Sequence, residues 1–213
     1  VLAADPSRRL PGAQPFRFPA YCPACGTALV RKAGEVAWRC PYLECPPQLA
    51  RRIRHFAGPQ ALDIQHLGEA VIDQLIQKSF IQDPADLYQL SKPQLLEVEH
   101  FADKSADNLL RALQASKQQP LWRWVHGLGI AQVGAEASKA LAQAFGSLEA
   151  LSQAPVAALL EVPGIGPTTA QGIVDYFAQP VHQRLLERLW QAGIRPAPAP
   201  QAPSKGQSSA VPG

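Results

Sequence analysis

The chain has 213 residues, 46% of them hydrophobic, with 15 Gly, 21 Pro and a formal net charge of +3. That is enough for one large or two small domains, and no run approaches the roughly 18 apolar residues that a helical membrane span requires. No signal-peptide apolar core opens it, so the composition argues against a helical membrane protein and predicts a soluble, cytoplasmic one.

Charge is unevenly spread. Residues 1–60 hold nine Lys/Arg against three Asp/Glu, a net of +6, and residues 61–213 hold eleven against fourteen, a net of −3. The basic end has the footprint of a polyanion binder, while the remainder must hold any phosphate by means other than bulk charge. Methionine is absent, even at residue 1, which predicts a processed chain or an internal or C-terminal piece of a longer one.

The first predicted element contains all four cysteines, in YCPACGTALVRKAGEVAWRCPYLEC. Cys22 and Cys25 form a CxxC, and Cys40 and Cys45 close the set, a spacing that lets four thiolates converge tetrahedrally on one Zn2+. TALV and EVAWRC read as two short strands around a Gly-containing turn, as in a zinc ribbon. Two disulfides would need an oxidising compartment, and a CxxC redox pair would leave Cys40 and Cys45 without a role. Four Cys ligands leave no open position, so the zinc is expected to be structural.

CPPQLARRIRHFAG follows, and predicts a helix with Pro46 and Pro47 in its first turn and Gly58 at its end. Leu49, Ile53 and Phe56 mark its buried side, and Arg51, Arg52 and Arg54 project outward, either as a solvated face or as phosphate contacts.

Beyond residue 58 short helices alternate with Gly, Pro and Asp. LLEVEHFADKSADNLL (95–110) aligns with LLEVPGIGPTTAQGIV (159–174) at an offset of 64 residues, and HLGEAVIDQLI (66–76) is placed with GLGIAQVGAEASKALAQAF (127–145), Leu67-Gly68 against Leu128-Gly129. LYQL (87–90) and LEAL (148–151) act as connectors. The pattern predicts four helix–hairpin–helix units in two tandem pairs. Each would aim a helix N-terminus outward, where unpaired backbone N–H groups and the positive dipole end suit phosphate. Such donors carry no base information, so binding would ignore sequence. The plainer alternative is a structural helical array whose glycines are caps and turns.

The candidate phosphate contacts are Gly68 in the first unit, Lys104 in the second, Gly127, Gly129 and Gly134 in the third, and Gly164, Ile165, Gly166 and Thr168 in the fourth. The first unit has His66 where a glycine would serve, and the second has His100 and Ala102. Trp122 and Trp124 have the helical spacing of packing residues, and Asp83, Asp86, Glu97 and Glu99 read as caps and solvated faces. Residues 196–213 have the Pro/Ala/Ser composition of an unstructured linker. The fold class is therefore mainly α: a small four-cysteine zinc ribbon (19–50), then a tandem array of four helix–hairpin–helix motifs (51–195).

In order along the chain, CPACG, RCPYLECPPQL, RIRHFAG, DIQHLG, DPADLYQL, KSADNLL, GLGIAQVG and LEVPGIG resemble the C-terminal half of bacterial NAD-dependent DNA ligase, over about residues 19–195. The resemblance implies a nick-sealing enzyme of replication and repair, nucleoid-associated, whose hairpin region grips nicked duplex DNA through its backbone and minor groove. It implies adenylation and OB domains upstream using NAD and Mg2+, residues 1–18 as the link to them, and a BRCT domain after the tail. His66, His100 and Ala102 depart from the family's glycines. None of the seven lysines stands in the Lys-x-Asp-Gly of the family's adenylation site, so the segment alone is expected to be inactive. A non-enzymatic DNA-structure-binding protein and the DNA-binding end of a repair nuclease are the other readings that paired hairpins allow.

Overall fold

The computed structural model describes residues 17–31 and 34–196. Apart from Arg17, Phe18 and Pro196, the expected leading link and the Pro/Ala/Ser tail lie outside the described residues. The chain divides into two compact units between Pro47 and Gln48.

The first unit has no regular strand among its described residues. The expected TALV and EVAWRC strands are reduced to single antiparallel bridges, Tyr21 with Ala28 and Val30 with Arg39. Val30 and Arg39 exchange both backbone hydrogen bonds at 2.8 Å, and the amide of Leu29 donates to the Ala20 carbonyl at 2.9 Å. A ribbon this short buries too little to sustain a ladder, so other bonds must hold it.

The second unit is helical among its described residues. Helix α1 (Pro46–Ala57) leads into it, and Leu49, Ile53 and Phe56 lie on its buried side as the spacing predicts. Next come α2 (Glu69–Gln77), a 3-10 helix (Pro84–Gln89), α3 (Lys92–Leu96) and α4 (Asp103–Ser116). The order continues with α5 (Leu121–Gly127), α6 (Ala135–Phe145), α7 (Leu148–Ser152), α8 (Val156–Leu160), α9 (Pro167–Ala178) and α10 (Pro180–Gln191). Helix α3 packs on α4, α5 on α6 and α8 on α9, each a helix–hairpin–helix pair. The 3-10 helix and α7 are the two connectors, begun by Asp83 and Ser147, whose side-chain oxygens accept from first-turn amides.

One apolar core runs from Leu49 to Ile194. At its first end Phe56, Tyr88 and Trp124 pack ring on ring, with Phe56 and Trp124 centroids 5.8 Å apart and Tyr88 and Trp124 6.0 Å apart. Trp124 is fully buried and donates to the Gln119 carbonyl at 3.1 Å. Trp122 is half-buried beneath the side chains of Arg123 and Lys139.

Asp83 and Asp86 do more than cap. Both accept hydrogen bonds from the Arg188 guanidinium of α10, closing the array across more than a hundred residues. The hydrogen bond to Asp86 is the main cause holding the Arg188 pKa above its ordinary value. Arg188→Ala is expected to lower the unfolding free energy of this unit by about 1–3 kcal/mol, because it strips two half-buried carboxylates of their partner. A urea midpoint unchanged from the parent would show that water replaces the guanidinium at no loss.

Candidate metal centre and nucleic-acid interface

In the first unit, the turn Cys22-Pro-Ala-Cys25 is closed by Gly26 at φ +72°. The Gly26 amide donates to the Cys22 carbonyl, and the Cys22 amide to the Thr27 carbonyl, each at 2.8 Å. This brings the cysteines together: Cys22 and Cys45 Sγ are 3.8 Å apart, Cys25 and Cys40 Sγ 3.5 Å, and all four lie within 4.8 Å of one another. A zinc ion with tetrahedral bonds of about 2.3 Å separates its sulfurs by about 3.8 Å, whereas a disulfide needs about 2.0 Å. The donor set fits one zinc and no disulfide.

The thiols show why a cation belongs there. Side-chain and backbone hydrogen bonds with Thr27 lower Cys25 to about 6. Burial raises Cys40 and pushes Cys45 up to about 12. With Cys40 and Cys45 so disposed to keep their protons, all four become thiolates only with a divalent cation among them.

In the second unit the same three-residue turn recurs four times. His66-Leu67-Gly68, His100-Phe101-Ala102, Gln132-Val133-Gly134 and Gly164-Ile165-Gly166 each open with a left-handed residue, at φ +68°, +63°, +64° and +83°. The third residue is the N-cap of α2, α4, α6 and α9 in turn, at φ −74°, −113°, −84° and −90°. The outer two residues are exposed and the middle one turns inward, with Leu67, Val133 and Ile165 buried and Phe101 partly so. An apolar anchor thus holds each turn while the helix N-terminus points away from the core.

None of these four N-caps supplies a side-chain hydrogen bond, so the first-turn amides have no partner from the cap. A Cβ added at Gly68, Gly134 or Gly166 would meet nothing within 4 Å, and their extended φ suits any residue. Neither packing nor backbone geometry requires glycine at these caps, beyond the moderate N-cap preference that glycine has of itself. The absence of a Cβ leaves room there for close approach from outside.

Carboxylates in three of the first turns would repel an anion, but each has a cationic neighbour. Glu69 lies 3.8 Å from Arg54, Asp103 3.0 Å from Lys92, and Glu136 2.7 Å from Lys139. The first turn of α9 has no acidic residue at all. The turns are also tied in pairs. The Glu99 amide donates to Gln74 Oε1 of α2 at 2.7 Å, linking the first two units, and Thr169 Oγ1 donates to Gln132 Oε1 at 3.2 Å, linking the last two.

Several sequence expectations change here. Gly68 corresponds to Gly134, not Gly129, so Gly127 and Gly129 lie outside the third turn. Gly127 is buried in α5, where an added Cβ would sit 3.4 Å from Phe56 and 3.5 Å from Ala61. Gly129, at φ +68°, spends its amide on the His126 carbonyl. Ile165 is an anchor: its side chain is buried and its amide donates to the Val162 carbonyl at 3.1 Å. Arg54 does not project freely, because its guanidinium holds both carboxylate oxygens of Asp73 at 2.9 and 3.0 Å. Arg51, Lys104 and Thr168 are exposed, Arg52 is half-buried, and Gly164 and Gly166 stand at the fourth turn as expected. Sequence reasoning missed Gln132 and Phe101, whose signal was the spacing of an apolar residue two before a helix start. Gly127→Val is expected to destabilise the unit by about 1–3 kcal/mol through overpacking, measured by thermal or urea unfolding.

The comparisons with known proteins agree with this division. Residues 21–46 match the NAD-dependent DNA ligase C4 zinc finger domain, and residues 123–186 match a helix-hairpin-helix motif family. The chain is 43% identical over 201 residues to DNA ligase 1 of Opitutus terrae, covering 92% of this chain and 30% of that protein. It is 45% identical over 196 residues to a DNA ligase of Symbiobacterium thermophilum, covering 91% and 29% of the two chains. Against a DNA ligase of Chloroflexus aggregans the identity is 44% over 206 residues, covering 96% and 30%. The chain thus spans about 30% of the length of these curated relatives. With its four-cysteine finger, its recurring hairpins and these matches, the chain belongs to the NAD-dependent DNA ligase family, as that family's zinc finger and helix–hairpin–helix segment.

Proposed function

We propose that this segment holds nicked or intact duplex DNA, without sequence preference, for an NAD-dependent ligase that seals nicks in replication and repair. The observation that carries the reading is the fourfold recurrence of an outward helix N-terminus, with glycine caps that nothing inside the chain requires at three of the four turns. First-turn amides of α2, α4, α6 and α9 take phosphate oxygens, and Thr168 and Lys104 add side-chain donors. Arg51 and Arg52 contribute charge from α1. The fourth turn is the strongest seat, because no first-turn carboxylate competes with the phosphate there.

The zinc holds the finger's fold and takes no part in chemistry. Catalysis belongs to adenylation and OB domains of the same polypeptide, using NAD and Mg2+, because no lysine here stands in a Lys-x-Asp-Gly sequence. Incubated with labelled NAD, the segment is expected to form no covalent adduct, yet to bind unrelated duplexes equally. Its affinity should fall linearly on a log–log plot against salt, as released counterions require. An adduct would reveal a nucleotide site within these residues. A strong preference for one sequence would contradict backbone recognition.

A further inference from the structure

A groove of about 210 Å3, lined by none of the hairpin turns, lies between α7, α9 and α10. Buried Phe177 and Leu186 and half-buried Trp190 supply its apolar lining. Its polar lining includes Ser152, Gln153 and Gln183, and Gln183 is held in place by donating through Nε2 to the Phe177 carbonyl at 3.0 Å. The Trp190 indole N–H and the Gln153 side-chain amide have no hydrogen-bond partner among the described residues. Of the described residues that line the groove, Glu187 alone is charged. Apolar walls, neutral donors and a single carboxylate suit a neutral ligand rich in acceptors, not a phosphate.

The chain leaves the unit beside this groove. Gly193, at φ +80°, follows the end of α10, and the amide of fully buried Ile194 donates to the Leu189 carbonyl at 3.1 Å. The chain thereby turns back on the helix. The Arg195 guanidinium then donates to the carbonyl of Trp190 at 3.2 Å, and Pro196, the last described residue, is half-buried. The sequence continues with Ala-Pro-Ala-Pro-Gln-Ala-Pro over residues 197–203.

We propose that this groove is the docking site of residues 197–203 of the same chain, bound as a proline-rich ligand. Proline has no N–H, so such a segment offers mainly carbonyl acceptors, and the groove answers with indole and amide donors. Proline-rich segments favour the polyproline II helix, which aromatic-lined grooves recognise at a low ordering cost. Its three-residue repeat would set Ala197, Pro200 and Pro203 on one edge, the last two spaced as a P-x-x-P ligand. The lengths agree as well. Trp190 and Gln183 are about 10 Å apart along α10, at roughly 1.5 Å per residue, a distance that polyproline II covers in about three or four residues. Docked so, the linker would depart near the start of α10 instead of its end, which fixes where the sequence beyond it begins. The inference is independent of the duplex-binding reading, which uses none of these residues.

The test compares the zinc-loaded 213-residue chain with its Pro198→Gly/Pro200→Gly/Pro203→Gly variant by amide and indole NMR. The apolar core from Leu49 to Ile194 includes none of the three positions, so both chains should fold alike. Docking predicts different Trp190 indole and Gln153 side-chain amide shifts in the two. The Trp124 indole, bonded to the Gln119 carbonyl, should stay where it is. A synthetic peptide of residues 196–204, added to the variant at the millimolar level of a short tether, should move the two signals toward the parent's positions. Adding Gln153→Ala to the variant should weaken that peptide about three- to ten-fold. Coincident Trp190 and Gln153 shifts in parent and variant would overturn the proposal, as would a peptide that leaves the variant's signals unmoved. A parent–variant difference that vanishes on dilution would overturn it too, because the groove would then hold the tail of a second copy.

Discussion

Gly166→Val is expected to weaken duplex binding about ten-fold or more, since each hydrogen bond to a charged phosphate contributes roughly 1.5–3 kcal/mol. The fold should survive it. An added Cβ meets nothing within 4 Å, and φ −90° is a comfortable value for valine. The only internal loss is in N-cap preference, about 1 kcal/mol or less, because glycine's cap gives no side-chain bond to remove. The branched side chain would instead occupy the space through which a phosphate reaches the Thr168 and Thr169 amides. Ala102→Val, at the repeat-related cap, should weaken binding far less, because a methyl already stands there. The two are compared at one salt concentration with folding checked by circular dichroism. Equal losses from both, or none from either, would mean that the cap glycines serve the chain alone.

The second large effect concerns the metal. Zinc-finger peptides gain about 10–16 kcal/mol of apparent free energy from their ion, and here two isolated bridges are all the regular backbone pairing described in the finger. Cys40→Ser should lower the zinc content from about one ion per chain and unfold residues 17–47 locally. Trp38, the tryptophan of this unit, should report the change by fluorescence, since the Arg31 guanidinium lies over its ring at 5.5 Å. The core from Leu49 to Ile194 contains no cysteine, so its helical signal should persist. Loss of both together would mean that the helical unit depends on the metal as well.

The finger's ligand set was legible in the sequence because tetrahedral thiolate binding constrains spacing tightly, while its strands were overestimated because two short apolar runs do not make a ladder. The four hairpins were legible as well, but the register of the third was not. Gly-x-Gly was taken as the mark of a turn, and Gly127-Leu128-Gly129 carries it, yet the turn lies at Gln132-Val133-Gly134. What recurs is an inward-turned apolar residue between two exposed ones before a helix, with glycine obligatory at neither flank. Gln132 therefore hid the third turn while preserving its geometry, whereas the first two turns lie at His66 and at His100 as the repeat predicts. The clamp of Arg188 on Asp83 and Asp86 left no sequence trace, because nothing local pairs residues so far apart.

The central claim is that backbone amides at four helix starts hold the phosphates. Its most direct test is amide chemical-shift mapping of the zinc-loaded chain as nicked duplex is added. The largest changes are expected in four short runs, residues 68–71, 102–105, 134–137 and, Pro167 having no amide hydrogen, 166 with 168–169, with the last responding at the lowest DNA concentration. Changes concentrated on α7 and α10, with these four runs unmoved at saturation, would contradict it.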